Sequence, residues 1–230
     1  LVPVRCICER RGDMREPPIP IATAAPVTVT EMQWYEAEVR ELVARLAANP
    51  VTQPTVVYGS SSITLWANIA GDLKDERAVN AGFGGSTLEA CAYFFERIVP
   101  PLEPAALLVY AGDNDLSDGR GAEHVLASFR QLAANVDRCC GPIPFGFMSI
   151  KPSPSRSGIL NRIRRTNELI RSEIEGRPHG FYVPLFDAML RDGRPRPELF
   201  LNDGLHLSPA GYELWTRLLE PYRGRLFAAR

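Results

Sequence analysis

At 230 residues, with 45% hydrophobic and 23% charged, the chain has the make-up of an ordinary soluble globular protein with enough apolar material for one substantial core. A formal net charge of -1, a pI near 6.4 and no block of like charge exclude the basic field that draws nucleic acid or an anionic membrane surface. No apolar run approaches the ~18 residues of a bilayer span, and the five cysteines, without C-x-x-C or Cys/His metal spacing, point to free thiols in a reducing compartment and so to a cytoplasmic location.

Residues 1–30 mix arginines, cysteines and prolines (Pro17, Pro18, Pro20, Pro26) without periodicity and read as an irregular arm. They lack the continuous apolar stretch of a signal peptide, and Met14 is a candidate internal start. From 31 to 48, Trp34, Tyr35, Val39, Leu42, Val43 and Leu46 recur at amphipathic-helix spacing, and Asn49-Pro50 stops the pattern. Trp34 and Tyr35 are expected to dock into the core. The same helix can pack on its own sheet or on another subunit, which leaves a homo-oligomer open.

Beyond it, strands are expected at 55–58, 77–80, 106–110, 143–149 and 180–184. Helices are expected at 63–70, 87–99, 122–138, 160–175 and 209–227, the last with Ser208 as N-cap and Pro209 in its first turn. That alternation over 31–230 predicts an α/β domain built on a parallel sheet covered on both faces. No period of 20 to 50 residues recurs.

Ligands of such sheets gather beyond the C-terminal ends of the strands, and four polar sets fall there. The first strand runs Val56-Val57-Tyr58 into Gly59-Ser60-Ser61-Ser62, where a serine has unpaired backbone N–H groups close by and can act as nucleophile or simply cap a helix. The second leads into a glycine-rich loop, Gly82 to Thr87. It matches neither G-x-G-x-x-G nor G-x-x-x-x-G-K-[ST], so nucleotide binding is the weaker reading and an oxyanion-binding N–H at Gly85 the stronger. The third ends at Gly112-Asp113-Asn114-Asp115, where Asn114 is either a turn residue or a neutral two-hydrogen donor to an oxyanion, and Asp113 and Asp115 are turn or supporting residues. The fourth is Asp203-Gly204-Leu205-His206, just before the last helix. There a carboxylate three residues ahead of an imidazole can fix its tautomer, as a serine's general base requires. Of three histidines, His124 and His179 look like surface residues.

Taken together and in this order, the four stretches resemble the sequence blocks of the SGNH hydrolases, the GDSL-type lipase/acylhydrolase superfamily, over about Trp34 to the C-terminal helix. The family's Gly-Asp-Ser is here Gly59-Ser60-Ser61, as in its Gly-Ser-Ser-Ser-Ile branch, which implies Ser61 as nucleophile, with Ser60 and Ser62 as neighbouring hydroxyls. The resemblance implies Gly85 as an oxyanion donor, with Gly84 as fallback, Asn114 as the other side donor, and Asp203 and His206 as the remaining triad members. It also implies a flavodoxin-like three-layer α/β/α sandwich with a five-stranded sheet, a small-molecule ester substrate, and no metal or organic cofactor. The segment from Ser149 to Arg156 resembles that branch as well, with Lys151 and Arg156 expected at the pocket rim or in solvent.

The expected activity is hydrolysis of short-chain carboxylic esters by a Ser61–His206–Asp203 triad. The alternatives are a carbohydrate or arylester deacetylase, and a non-catalytic domain whose loops at Gly59–Ser62 and Gly82–Ser86 cradle a phosphate or sugar.

Overall fold

The computed structural model describes residues 32–227; the arm expected at 1–30 lies outside them. Five parallel strands, β1 (Thr55–Gly59), β2 (Ala78–Gly82), β3 (Ala106–Tyr110), β4 (Phe145–Met148) and β5 (Gly180–Val183), form one sheet in the order β2-β1-β3-β4-β5. β1 and β3 are buried along their whole length, which is why they read as unbroken apolar runs rather than alternating ones.

Successive side chains of a strand point to opposite faces. Val56 and Tyr58 therefore enter one apolar cluster and Val57 the other. On the first face pack α1 (Glu36–Ala48), α4 (Leu88–Ile98), α6 (Ala122–Cys140) and α7 (Leu160–Glu175); on the second, α3 (Ile69–Leu73), α8 (Pro209–Leu219) and α9 (Arg223–Leu226). This is the expected three-layer sandwich. In register, Gly59 faces Gly82 on one side and Tyr110 on the other, so the loops after β1, β2 and β3 leave from one edge.

Several element limits differ from expectation for identifiable reasons. The helix expected at 63–70 is broken into α2 (Ser61–Thr64) and α3, because the Asn80 amide donates to the carbonyls of Ile63 (2.6 Å) and Trp66 (3.2 Å). The last helix, expected to run to 227, ends at Leu219 because Pro221 has no N–H to continue it, and helix resumes as α9 after a 3₁₀ turn. Its start agrees with expectation: the Ser208 side chain accepts the Gly211 N–H and Pro209 follows. Asn114 belongs to a short helix, α5 (Asp113–Ser117), rather than to a simple turn. A hairpin of β6 (Leu190–Arg191) and β7 (Arg194–Pro195), unforeseen in the sequence, turns on Asp192-Gly193, both at positive φ.

At the start of the described chain, Tyr35 packs edge-on against Phe83 and Phe94. Trp34, expected beside it in the core, is 82% exposed. A turn at Trp34 and Tyr35 separates the helical Met32 and Gln33 from α1, which starts at Glu36, so the aromatic pair does not share one helical face.

Candidate active site

β1 and β3 approach so closely that a Cβ on Gly59, at φ 144°, would lie 1.9 Å from the Tyr110 carbonyl oxygen, so only glycine fits there. The same oxygen accepts the Ser60 N–H at 3.0 Å, fixing the turn from strand into α2. Of the three hydroxyls that follow, those of Ser60 and Ser62 belong to residues 1% exposed, and Ser61 alone is half-buried. The Ser62 carbonyl accepts the Tyr212 hydroxyl (2.9 Å), tying α2 to α8.

Ser61 Oγ lies 3.1 Å from His206 Nε2, and His206 Nδ1 lies 2.6 Å from Asp203 Oδ2. Neither Ser60 nor Ser62 meets a histidine. Asp203 Oδ1 accepts the N–H groups of Leu205 (2.9 Å) and His206 (3.0 Å), so the carboxylate holds its own loop as well as the imidazole. The Leu205 N–H, then the His206 side chain and N–H, lower its pKa to about 2 by stabilising the charged form.

The glycine loop is held from two sides. Glu38 of α1 accepts the Gly84 N–H at 2.5 Å, which removes Gly84 from the set of available donors. The Tyr35 hydroxyl donates to the Gly85 carbonyl (3.2 Å). Gly85, exposed and at φ 65°, has open space where a Cβ would be, and its N–H has no acceptor among the described residues. From the other side, Asn114 Nδ2 donates one hydrogen to the Ser86 carbonyl (3.1 Å) and keeps a second. Asp115 Oδ2 accepts the Leu88 N–H (2.8 Å) at the start of α4. Asp115 is fully buried, and that burial pushes its pKa up to about 6 despite the backbone bonds that oppose it.

A model of the GDSL-like lipase/acylhydrolase family matches residues 51–214. The chain belongs to this family. Among solved structures, a Streptococcus pneumonia protein described as a candidate platelet activating factor is 19% identical, with 84% of this chain and 96% of that chain covered and a TM-score of 0.71. A GDSL-like lipase from Bacteroides thetaiotaomicron is 19% identical, covering 83% and 96%, with a TM-score of 0.64. A variant of an acetyl-xylooligosaccharide esterase from Geobacillus Stearmophilus is 15% identical, covering 78% and 98%, with a TM-score of 0.60. At these identities the likeness is one of fold. No curated protein matches the sequence.

The GDSL-family site includes groups that sequence reasoning missed or misplaced. Lys151, expected at the rim or in solvent, is 1% exposed, and its ammonium donates to Asp113 Oδ2 (2.8 Å) and the Tyr110 hydroxyl (3.1 Å). Burial works to raise the Asp113 pKa, but the Lys151 charge and hydrogen bond outweigh it and hold the carboxyl below the ordinary aspartate value. Arg156 is half-buried and donates to the Ser117 hydroxyl. Of the histidines set aside, His179 is exposed as expected, but His124 is half-buried and lies 3.2 Å from Glu89. Glu38 and Tyr35 sit some 50 residues before the loop they hold, and nothing local in the sequence marks them. Cys91, Cys139 and Cys140 are free, and burial pushes the Cys91 thiol up to about 12. Among the described residues no group of three or more His, Cys, Asp or Glu could hold a metal ion, and no helix is long and apolar enough to cross a membrane.

Proposed function

We propose that the chain hydrolyses short-chain carboxylic esters, with Ser61 as nucleophile, His206 as general base and Asp203 as its orienting partner. The observation that carries this reading is the continuous chain Ser61 Oγ, His206 Nε2, His206 Nδ1, Asp203 Oδ2, at 3.1 and 2.6 Å. With Asp203 ionised, Nδ1 keeps its hydrogen and Nε2 is left as the acceptor. His206 Nε2 takes the Ser61 proton as Oγ attacks the ester carbonyl. The resulting oxyanion is met by the N–H groups of Ser61 and Gly85 and by the second hydrogen of Asn114 Nδ2. The imidazolium then protonates the leaving alkoxide, and a water activated by Nε2 cleaves the acyl-enzyme and restores Ser61.

Hydrolysis of p-nitrophenyl acetate, butyrate, octanoate and palmitate by wild type, Ser61→Ala and His206→Ala tests the proposal, with circular dichroism confirming each fold. Activity that falls with chain length and vanishes in both variants is the expected result. An active Ser61→Ala enzyme would overturn it and raise the reading of a site that only binds.

A second reading is deacetylation of a carbohydrate or aryl ester, after the activity named for one solved structure that shares the fold, the acetyl-xylooligosaccharide esterase from Geobacillus Stearmophilus. Comparing kcat/KM for acetylated xylooligosaccharides, phenyl acetate and ethyl acetate separates the two.

A further inference from the structure

The segment from Ser149 to Arg156 takes no part in the chemistry proposed above, yet it is tied down along its length. The Ser149 hydroxyl accepts the N–H groups of Leu185 (2.8 Å) and Phe186 (2.9 Å). The Asn167 side chain clamps Ile150 on both backbone groups, accepting its N–H (2.8 Å) and donating to its carbonyl (2.9 Å). Lys151 then projects into the protein between β3 and α5, and further along the Ser155 N–H donates to the Gly204 carbonyl (3.0 Å), one residue past Asp203. The segment thus links the loop that carries Asn114 to the loop that carries Asp203 and His206.

A lysine and an aspartate at 1% and 4% side-chain exposure are a costly way to hold two loops together. Removing both charges from water costs more than their attraction reliably returns, and apolar residues of the same volume serve stability as well or better. What the ion pair adds is fixed position. Asp113 is the peptide neighbour of Asn114. Tyr110, the second acceptor of Lys151, ends β3, and its carbonyl receives the Ser60 N–H. The Lys151 ammonium also lies 5.2 Å from the centre of the Tyr110 ring, so its position is set by Tyr110 at the end of β3 and by Asp113 at the start of α5.

We propose that Lys151 is a positioning residue for ester hydrolysis: through Asp113 and Tyr110 it fixes the end of β3 so that the Asn114 amide meets the oxyanion formed at Ser61. The inference rests on the assignment of Ser61 and Asn114 made above, and the test separates the two. Lys151→Met alone strands the Asp113 charge and is expected to destabilise the fold, so the decisive protein is the neutral pair Lys151→Met/Asp113→Asn. It is expected to melt within a few degrees of wild type, to lose about 10- to 100-fold in kcat on p-nitrophenyl acetate with KM little changed, and to bind a short-chain boronic acid more weakly by a similar factor. In an Asn114→Ala background the same pair is expected to cost almost nothing further, because the donor it positions is already gone.

Tyr110→Phe, which deletes one hydroxyl, is a second route that does not depend on the neutral pair folding, and its smaller kcat loss is likewise expected to disappear when Asn114 is alanine. Full additivity with Asn114→Ala, or wild-type kcat in the folded neutral pair, overturns the inference while an inactive Ser61→Ala enzyme leaves the ester-hydrolase reading standing. Wild-type turnover by Ser61→Ala overturns both.

Discussion

Asp203 uses its two oxygens differently, one on the backbone of its own loop and one on His206. Asparagine at 203 can still accept both backbone N–H groups, but it presents an NH₂ to Nδ1. The imidazole then carries its hydrogen on Nε2, facing Ser61, where it cannot accept a proton. Asp203→Asn is therefore expected to fold normally and to lose about 10³–10⁴ in kcat, as such tautomer errors do in serine hydrolases; steady-state kinetics within tenfold of wild type would refute the role. The carboxyl is held at about 2, below the ~3.9 of an unfolded chain. Its stabilising share is thus present above about pH 4 and lost as pH falls through 2, and because the side chain is 47% exposed the share is small. Asn114→Ala is expected to cost about 10²–10³ in kcat with KM nearly unchanged, since the hydrogen bond it offers the oxyanion forms only in the transition state and the one it loses to the Ser86 carbonyl touches no substrate. At this scale the linked Ser61, His206 and Asp203 side chains were legible, because a serine after a buried strand and a carboxylate three residues ahead of a histidine are local patterns. Lys151 was not: a lysine's default place is solvent, and only the folded chain reveals that Asp113 and Tyr110 wait for it.

The elements that hold the site are less local than the site. The first strand, the long helices 122–138 and 160–175 and the cap at Ser208 could be read from periodicity and end signals, and the structure agrees within two residues. The break between α2 and α3 could not, since it depends on the Asn80 amide reaching across from β2. The hairpin at 190–195 had a legible signal in Asp192-Gly193, the pair that a two-residue turn favours. The role of α1 was hidden for a different reason. Its amphipathic pattern announced packing, whereas Glu38 and Tyr35 act across some 50 residues on the loop that carries Gly85. Losing the Glu38 carboxylate frees the Gly84 N–H and lets that loop shift. Glu38→Ala is expected to lower kcat about 10- to 100-fold, the scale on which ~1 Å misplacements act. Glu38→Gln, which keeps an acceptor, is expected to recover most of it. Equal kcat in wild type and Glu38→Ala would show that the loop holds itself.

For the molecule as a whole, the strand order β2-β1-β3-β4-β5 puts β1 at the centre of the polar edge, flanked by the two loops that carry Gly85 and Asn114. The strand rhythm announced a parallel sheet, and the family resemblance its five strands and three layers. Neither disclosed that the loops after β2 and β3 are joined by a buried carboxylate, Asp115, bonded to the Leu88 N–H. This group has a consequence for global stability. Its native pKa of about 6 stands above the ~3.9 of an unfolded aspartate, so between those values the folded protein binds more protons than the unfolded one. Stability from this group is therefore greatest below about pH 4, falls as pH rises to about 6 and is level beyond it, a loss on the order of 3 kcal/mol. In Asp115→Asn the amide oxygen can keep the Leu88 N–H, and no proton is exchanged. Thermal unfolding of both proteins at pH 4, 5, 6 and 7 is expected to show the asparagine variant gaining on wild type by roughly 6–12 °C across that range. Parallel melting curves with a constant offset would mean that Asp115 is already ionised in the native state at pH 4, and that burial does not govern its charge.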